Sequence, residues 1–221
     1  MKNLMIYIGE KPEFDPDNAV LVKLQIENSL RFWKPEDIML VTNFPYEYMG
    51  IKALVINNSY YKYDRRSCKL YGVVELFNRG LIGDEVYWNR DLDTYQMQPL
   101  GELGQKDFEV VTREWPKLLN FGSHFFKKGA ESFFRRIEQV AEQYQITDEN
   151  AFILLVRTTK FENTYRKLNA TYDLGQGQLK QHYELAEKPI KVLHFHPKRL
   201  EMFKPYMTPE LIELFKKYGY K

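Results

Sequence analysis

The sequence predicts a single α/β domain with a Rossmann-like, mostly parallel central sheet flanked by helices. Three observations carry this. Short apolar runs alternate with stretches of helical period through the first hundred residues. Turn and cap residues fall between them, at Asp15-Pro16-Asp17-Asn18, at Pro35, and at Gly80 and Gly83. With 221 residues, 44% of them hydrophobic, the chain suits one core with at most an appended tail.

Each element follows from its residues. Leu4-Met5-Ile6-Tyr7-Ile8 is an apolar run of strand length stopped by Gly9. Asp15 to Asn18 offers cap chemistry for a helix whose apolar face is Ala19, Val22, Ile26, Leu30 and Trp33, ended by Pro35. Ile38 to Thr42 and Ala53 to Ile56 are the next two strands. Asp64 can cap a helix with the stripe Leu70, Val73, Val74, Phe77 and Leu81, for which Gly80 and Gly83 offer the stop. Glu85-Val86-Tyr87-Trp88 is a fourth strand, running into Asn89-Arg90-Asp91-Leu92-Asp93.

The second half is less regular. Phe108 to Thr112 and Asn120 to Phe126 read as strands. A helix after Gly129 carries Phe133, Ile137, Val140, Ala141 and Tyr144 on one face. Asp148-Glu149-Asn150 can cap another, although Phe152 to Val156 alone would pass for a strand. Tyr172 to Gln178 is a Gly-containing loop, and Lys191 to Phe195 is a late strand. Thr208-Pro209-Glu210 opens a C-terminal helix with a cap, a proline and an acid in its first turn.

Charge and composition exclude several function classes. Lys plus Arg number 32 and Asp plus Glu 30, a net +2, which excludes a strongly basic nucleic-acid binder. Cys68 is the only cysteine, so there is no internal disulfide and no Cys-based zinc site. The apolar runs fall far short of the ~18–20 residues of a membrane span, and the first is too short for a secretory leader. A cytoplasmic protein is the expectation. Residues 151–221 hold 13 Lys plus Arg against 7 Asp plus Glu. With Phe203, Tyr206, Phe215, Tyr218 and Tyr220, this basic end could meet an anionic membrane surface, or it is a solvated face with its aromatics packed on the body.

Three groups of residues carry chemistry. Asp91 and Asp93 follow the fourth strand, at the carboxyl edge where open α/β sheets bind ligands, and paired carboxylates suit a hard divalent cation. A second Asp-x-Asp, Asp15-Pro16-Asp17, reads as turn and cap. Arg65, Arg66 and Lys69 open the second long helix, where the dipole disfavours cations, so a bound anion such as a diphosphate would explain them. His194 and His196 alternate on or just past the late strand, and either could be a metal ligand. The chain has no Gly-x-Gly-x-x-Gly, no Walker loop and no Gly-x-Ser-x-Gly elbow.

The order of these features resembles the GT-A nucleotide-sugar glycosyltransferases, in particular the glycogenin-like and bacterial galactosyltransferase family and small viral domains of that fold. The resemblance rests on Lys69-Leu70-Tyr71-Gly72-Val73-Val74-Glu75-Leu76 and on Glu85-Val86-Tyr87-Trp88-Asn89-Arg90-Asp91-Leu92-Asp93. It continues through Asn120-Phe121-Gly122-Ser123, Asp148-Glu149-Asn150-Ala151-Phe152 and Lys191-Val192-Leu193-His194-Phe195-His196-Pro197-Lys198. The family's late segment usually continues with a Gly and a Trp that this chain lacks.

The resemblance implies one domain over residues 1–221. Residues 1–100 would be a nucleotide-binding half ending in Asp-x-Asp, 101–200 the donor-sugar and acceptor half, and 201–221 the C-terminal helix. It implies Mn²⁺ or Mg²⁺ on Asp91, Asp93 and His194. A nucleotide-sugar donor, UDP-sugar above all, would lie on Tyr7, Ile8, Arg66, Lys69, Asn120, Gly122, His196 and Lys198. It implies hexosyl transfer as the reaction, with Asp148 or Glu149 as a general base beside a glycan or other hydroxyl acceptor if transfer inverts the anomeric centre, and no base needed there if it retains it. Two other classes compete with it. A phosphatase-like hydrolase would want Asp-x-Asp after the first strand, whereas here it follows the fourth and position 95 is Tyr. A binding module would keep the fold and take sugar nucleotide without turnover.

Overall fold

A seven-stranded sheet forms the centre of the computed structural model, which describes residues 1–57, 67–112, 119–158 and 165–220. The strands of the chain are β1 (Lys2–Tyr7), β2 (Ile38–Thr42), a small hairpin β3 (Glu47–Tyr48) and β4 (Ile51–Lys52), and β5 (Leu54–Val55). They continue with β6 (Tyr87–Arg90), β7 (Thr94–Gln96), β8 (Phe108–Thr112), β9 (Leu119–Phe126), β10 (Tyr165–Leu168), β11 (Leu174–Gly175) and β12 (Val192–His194). The central order is β10-β8-β9-β6-β1-β2-β5. β1 is parallel to both β2 and β6, while β9 is antiparallel to β6 and to β8. A second sheet of β11, β12 and β7 stands beside the carboxyl end of β6.

The helices are α1 (Pro16–Leu30), α2 (Cys68–Asn78), α3 (Glu131–Tyr144), α4 (Asp148–Thr158), α5 (Leu179–Leu185), α6 (Leu200–Phe203) and α7 (Pro209–Lys217). Asp15 caps α1 through its Oδ1 on the Asn18 N–H, and Thr208 caps α7 on the Leu211 N–H. α2 ends at Asn78. Gly80 takes φ +65°, its N–H bonds the Phe77 carbonyl and the Leu81 N–H bonds the Leu76 carbonyl. Leu81 is therefore outside the helix, not the last member of its stripe, and is exposed. Trp33 likewise lies past the end of α1, stacked on Trp88. Tyr144 closes α3 on its exposed side. Asp64, Arg65 and Arg66 lie outside the described residues.

Alternation along β1 divides its side chains between two cores. Leu4, Ile6 and Ile8 pack with α2, α3 and α4 on one face, whereas Met5 packs with Leu21, Val22 and Ile26 of α1 on the other. α2 sits close against β1: a Cβ on Gly72 would lie 2.6 Å from Ile6 Cγ2. The C-terminal segment builds a third core in which Phe203 and Phe215 are fully buried with Tyr95 and Phe195, and Tyr206, Tyr218 and Tyr220 pack against it. These aromatics thus pack on the body of the protein. Among the described residues no helix is long and apolar enough to cross a membrane.

Candidate active site

β6 ends at Arg90 between β1 and β9, so the next residue emerges at the carboxyl edge of the parallel strands. The Asp91 N–H donates to the Gly122 carbonyl at 2.8 Å, and the Thr94 N–H returns to the Asp91 carbonyl at 3.2 Å. This turn carries Asp91 and Asp93. β7 then leaves antiparallel to β12, with Thr94 opposite His194, and the Phe195 N–H donates to the Asp93 carbonyl at 2.9 Å. Residues a hundred positions apart meet because two short strands pair.

The result is a cluster of three ligand-bearing side chains. His194 Nε2 lies 3.3 Å from Asp93 Oδ1 and 3.8 Å from Asp91 Oδ2. One ligand atom from each of the three residues falls within 4.8 Å of the others. Two carboxylates and an imidazole are a donor set that could hold a divalent metal ion. The backbone leaves room for it: a Cβ at Gly122 would sit 2.2 Å from His194 Cε1 and 2.8 Å from Asp91 Oδ2, so a side chain there would fill the cradle.

Asp173, which sequence reasoning missed, completes the arrangement from behind. It is buried, immediately before β11, and its Oδ1 is 3.0 Å from His194 Nδ1. The parallel pairing of β11 with β12 sets this contact, Gly175 lying opposite His194. A carboxylate on the far nitrogen of a ligating histidine fixes the ring and directs Nε2 forward. Burial opposes a charge on His194, but Asp173 and Asp93 outweigh it and raise its pKa well above the usual value. Burial likewise opposes the Asp93 charge, and His194 outweighs that and holds the carboxylate below its ordinary range. The sequence signal was faint, one acid in a Gly-containing loop.

Lys69 stands in the first turn of α2, where its cation finds acidic partners. Nζ donates to Asp91 Oδ1 at 2.7 Å and to the Phe121 carbonyl at 3.2 Å, and lies 3.9 Å from Asp148 Oδ2. Burial disfavours the ammonium, but Asp91 and Asp148 more than compensate, so it stays charged. Asp148 begins α4, is buried, and its N–H donates to Ser67 Oγ at 2.9 Å, which joins the starts of α2 and α4. Glu149, next to it, is half-buried. Behind these, His124 donates from Nδ1 to the Phe121 carbonyl, so its Nε2 accepts from Asn89. Burial first, then Lys69, lowers it to about 3, a neutral imidazole.

The other candidate residues are spread along the same edge. Tyr7 ends β1, its hydroxyl donates to Asp15 Oδ2 at 3.1 Å, and its ring lies 4.7 Å from that of Phe14. Ile8 is buried in the core beneath. Asn120 lies on β9 with its backbone opposite Val111, and its side chain is outside the described part. His196 is not in the metal cluster: its Nδ1 accepts from the Lys198 N–H at 3.3 Å and starts a short 3-10 turn. The Lys198 side chain is exposed, 3.7 Å from Asp17.

Neither a protein-family model nor a curated protein matches this sequence. Solved structures do match its fold. The glycosyltransferase GlyE of Streptococcus pneumoniae TIGR4 aligns with a TM-score of 0.62 at 12% identity, over 98% of this chain and 63% of that one. The galactosyltransferase LgtC, in complex with donor and acceptor sugar analogs, aligns with a TM-score of 0.62 at 12% identity, over 99% of this chain and 95% of that one. A glycosyltransferase involved in glycosylation of the major capsid of PBCV-1 aligns at 0.57 and 12%, over 93% of this chain and all of that one. The chain thus spans less than two thirds of GlyE and nearly all of LgtC. Sheet order, carboxyl-edge acids and these likenesses together give the chain the GT-A fold of nucleotide-sugar glycosyltransferases.

Proposed function

We propose that this protein is a metal-dependent glycosyltransferase that moves a hexosyl group from a nucleotide-diphosphate sugar, with UDP-sugar as donor, to a hydroxyl of a glycan or similar acceptor. The observation that carries the reading is the convergence of Asp91, Asp93 and His194 at the carboxyl edge of a GT-A sheet. The donor and acceptor sugar analogs bound by LgtC support the substrate class.

Asp91, Asp93 and His194 would hold Mn²⁺ or Mg²⁺, which when bound neutralises the diphosphate and stabilises it as leaving group. Lys69 adds a fixed cation on the same side as the anomeric bond breaks. Arg66, His196 and Lys198 would contact the diphosphate, and Tyr7 with the Ile8 backbone would border the nucleoside at the end of β1. Asn120 and the bare backbone of Gly122 would border the donor sugar. Asp148, buried against Lys69, orients that lysine, which leaves half-buried Glu149 as the carboxylate with access to an acceptor hydroxyl. In this reading residues 1–100 hold the nucleotide and 101–200 the sugars.

The test is incubation of the full chain with a panel of UDP-, GDP- and ADP-sugars and simple saccharide acceptors, with Mn²⁺ or with EDTA. We expect Mn²⁺-dependent release of the nucleoside diphosphate. Binding without release under every acceptor would favour the non-catalytic module, and release of phosphate from plain phosphoesters would favour the hydrolase.

A further inference from the structure

Arg90 is 2% exposed, and among the described residues the hydrogen-bond partners of its guanidinium are all neutral. Nε donates to Asn3 Oδ1 at 2.8 Å, Nη2 to Ser29 Oγ and to Met5 Sδ, and Nη1 to both Gln25 Oε1 and the Thr94 carbonyl. The cation also lies 4.6 Å from the centre of the Trp88 ring. A buried charge without a carboxylate is costly, and an apolar residue of similar volume would pack there at no such cost. The arginine therefore calls for a reason beyond packing.

Its partners supply one. Gln25, Asn28 and Ser29 are fully buried on α1 at i, i+3 and i+4, a polar stripe where an apolar one is the rule. Gln25 Nε2 donates to the Leu92 carbonyl at 2.8 Å. Asn28 takes both backbone groups of Gln96, giving Nδ2 to its carbonyl and accepting its N–H, each at 2.9 Å. The Leu92, Thr94 and Gln96 backbone is thus held at three alternate positions by α1 and Arg90. Asp91 and Asp93 sit in the segment so fixed. Strand alternation places Arg90 toward α1 and its neighbour Asp91 toward Lys69 of α2. The buried cation is one residue from a pair of carboxylates that must converge despite their repulsion.

We infer that Arg90 is a positioning residue for the metal-binding turn, acting with Gln25, Asn28 and Ser29 to hold Asp91 and Asp93 in ligating geometry before the ion arrives. This rests on the reading of Asp91, Asp93 and His194 as a metal site. A polar scaffold of this kind keeps its geometry only if every member is satisfied, which makes it sensitive to single changes.

The experiment is calorimetric titration of Mn²⁺ into the full chain, wild type against Arg90→Met, Arg90→Lys and Gln25→Met. Circular dichroism checks the fold, and uridine binding serves as a readout away from the turn. We expect Arg90→Met and Gln25→Met to weaken Mn²⁺ about tenfold or more, in the range for groups that support metal ligands. Arg90→Lys, which keeps the charge but not the fork, should fall between, and uridine binding should not change. If Arg90→Met does not fold, Gln25→Met decides, since it keeps the arginine and removes only the Leu92 link and one of the two acceptors of Nη1. Folded variants that bind Mn²⁺ as tightly as wild type overturn the inference alone. A wild-type protein that takes up no Mn²⁺ overturns the metal reading and the inference with it.

Discussion

α1 and α2 pack on opposite faces of one sheet and follow different rules. α2 buries Leu70, Val73, Val74, Leu76 and Phe77, an apolar stripe against β1 and α3, with Gly72 letting the helix come close. Its chemistry is confined to Lys69 in the first turn. α1 buries Leu21, Val22, Leu24 and Ile26, but also Gln25, Asn28 and Ser29. Beyond its first turn one helix stabilises the sheet through apolar burial, while the other also holds the backbone of the carboxylate turn. Burial within a helix therefore does not by itself say whether a residue serves the fold or the site.

Truncations in the two helices should separate these roles. Leu76→Ala is expected to cost about 3 kcal/mol of stability, read by urea denaturation, as a fully buried leucine leaves a cavity. The folded fraction should bind Mn²⁺ as before, and a parallel fall in affinity would erase the contrast between the helices. Asn28→Ala leaves two backbone groups of Gln96 without their side-chain partners and should cost about 2 kcal/mol. Here weaker Mn²⁺ binding should accompany the loss, and an unchanged affinity would make the polar face of α1 purely structural.

The same contrast governs how much was legible in the sequence. The stripe of α2 is read directly, because apolar residues at helical spacing have one common explanation. The polar stripe of α1 was invisible: Gln25, Asn28 and Ser29 look like solvent-facing residues until Leu92, Thr94 and Gln96 are seen beside them. Asp91 and Asp93 stood out by their place after β6, whereas the late strand offered His194 and His196 alike and only the family resemblance favoured His194. Asp173 did not, because only the pairing of β11 with β12 brings it to His194. Local period and caps are sequence properties, whereas pairing between short strands far apart in the chain is not. The ends of α1 and α2 were overrun for a related reason, since apolar residues just past a helix continue its spacing without its hydrogen bonds.

Asp173 sharpens the comparison from the other side of the site. Asp173→Asn should weaken Mn²⁺ about tenfold, ~1.4 kcal/mol, by loosening His194 while leaving the turn itself intact. Equal affinity in the variant and wild type would show that β12 alone fixes the histidine.

The smallest effect is expected at Glu27, also on α1 but turned toward α7. Its carboxylate accepts from Tyr48 and Tyr218 hydroxyls and from Lys217 Nζ. Burial raises its pKa, but these donors outweigh it and hold it below its ordinary value of 4.5. A depressed folded pKa gives stability that is present above the unfolded value and is lost as pH falls through the folded one. Glu27→Gln should cost about 1 kcal/mol at neutral pH, and the melting curves of variant and wild type should converge as pH falls below the ordinary carboxylate range. A constant gap across that range would mean that the carboxylate charge does not tie α7 to α1. Mn²⁺ affinity should not move.

The most direct measurement is a crystal structure of the protein soaked with Mn²⁺ and UDP, read by anomalous scattering at the manganese edge. A single strong peak coordinated by Asp91, Asp93 and His194, with the diphosphate oxygens completing its shell, is the predicted result. A peak placed elsewhere, or a diphosphate bound on Lys69 and Lys198 with no ion between it and the two aspartates, would contradict the metal-dependent reading.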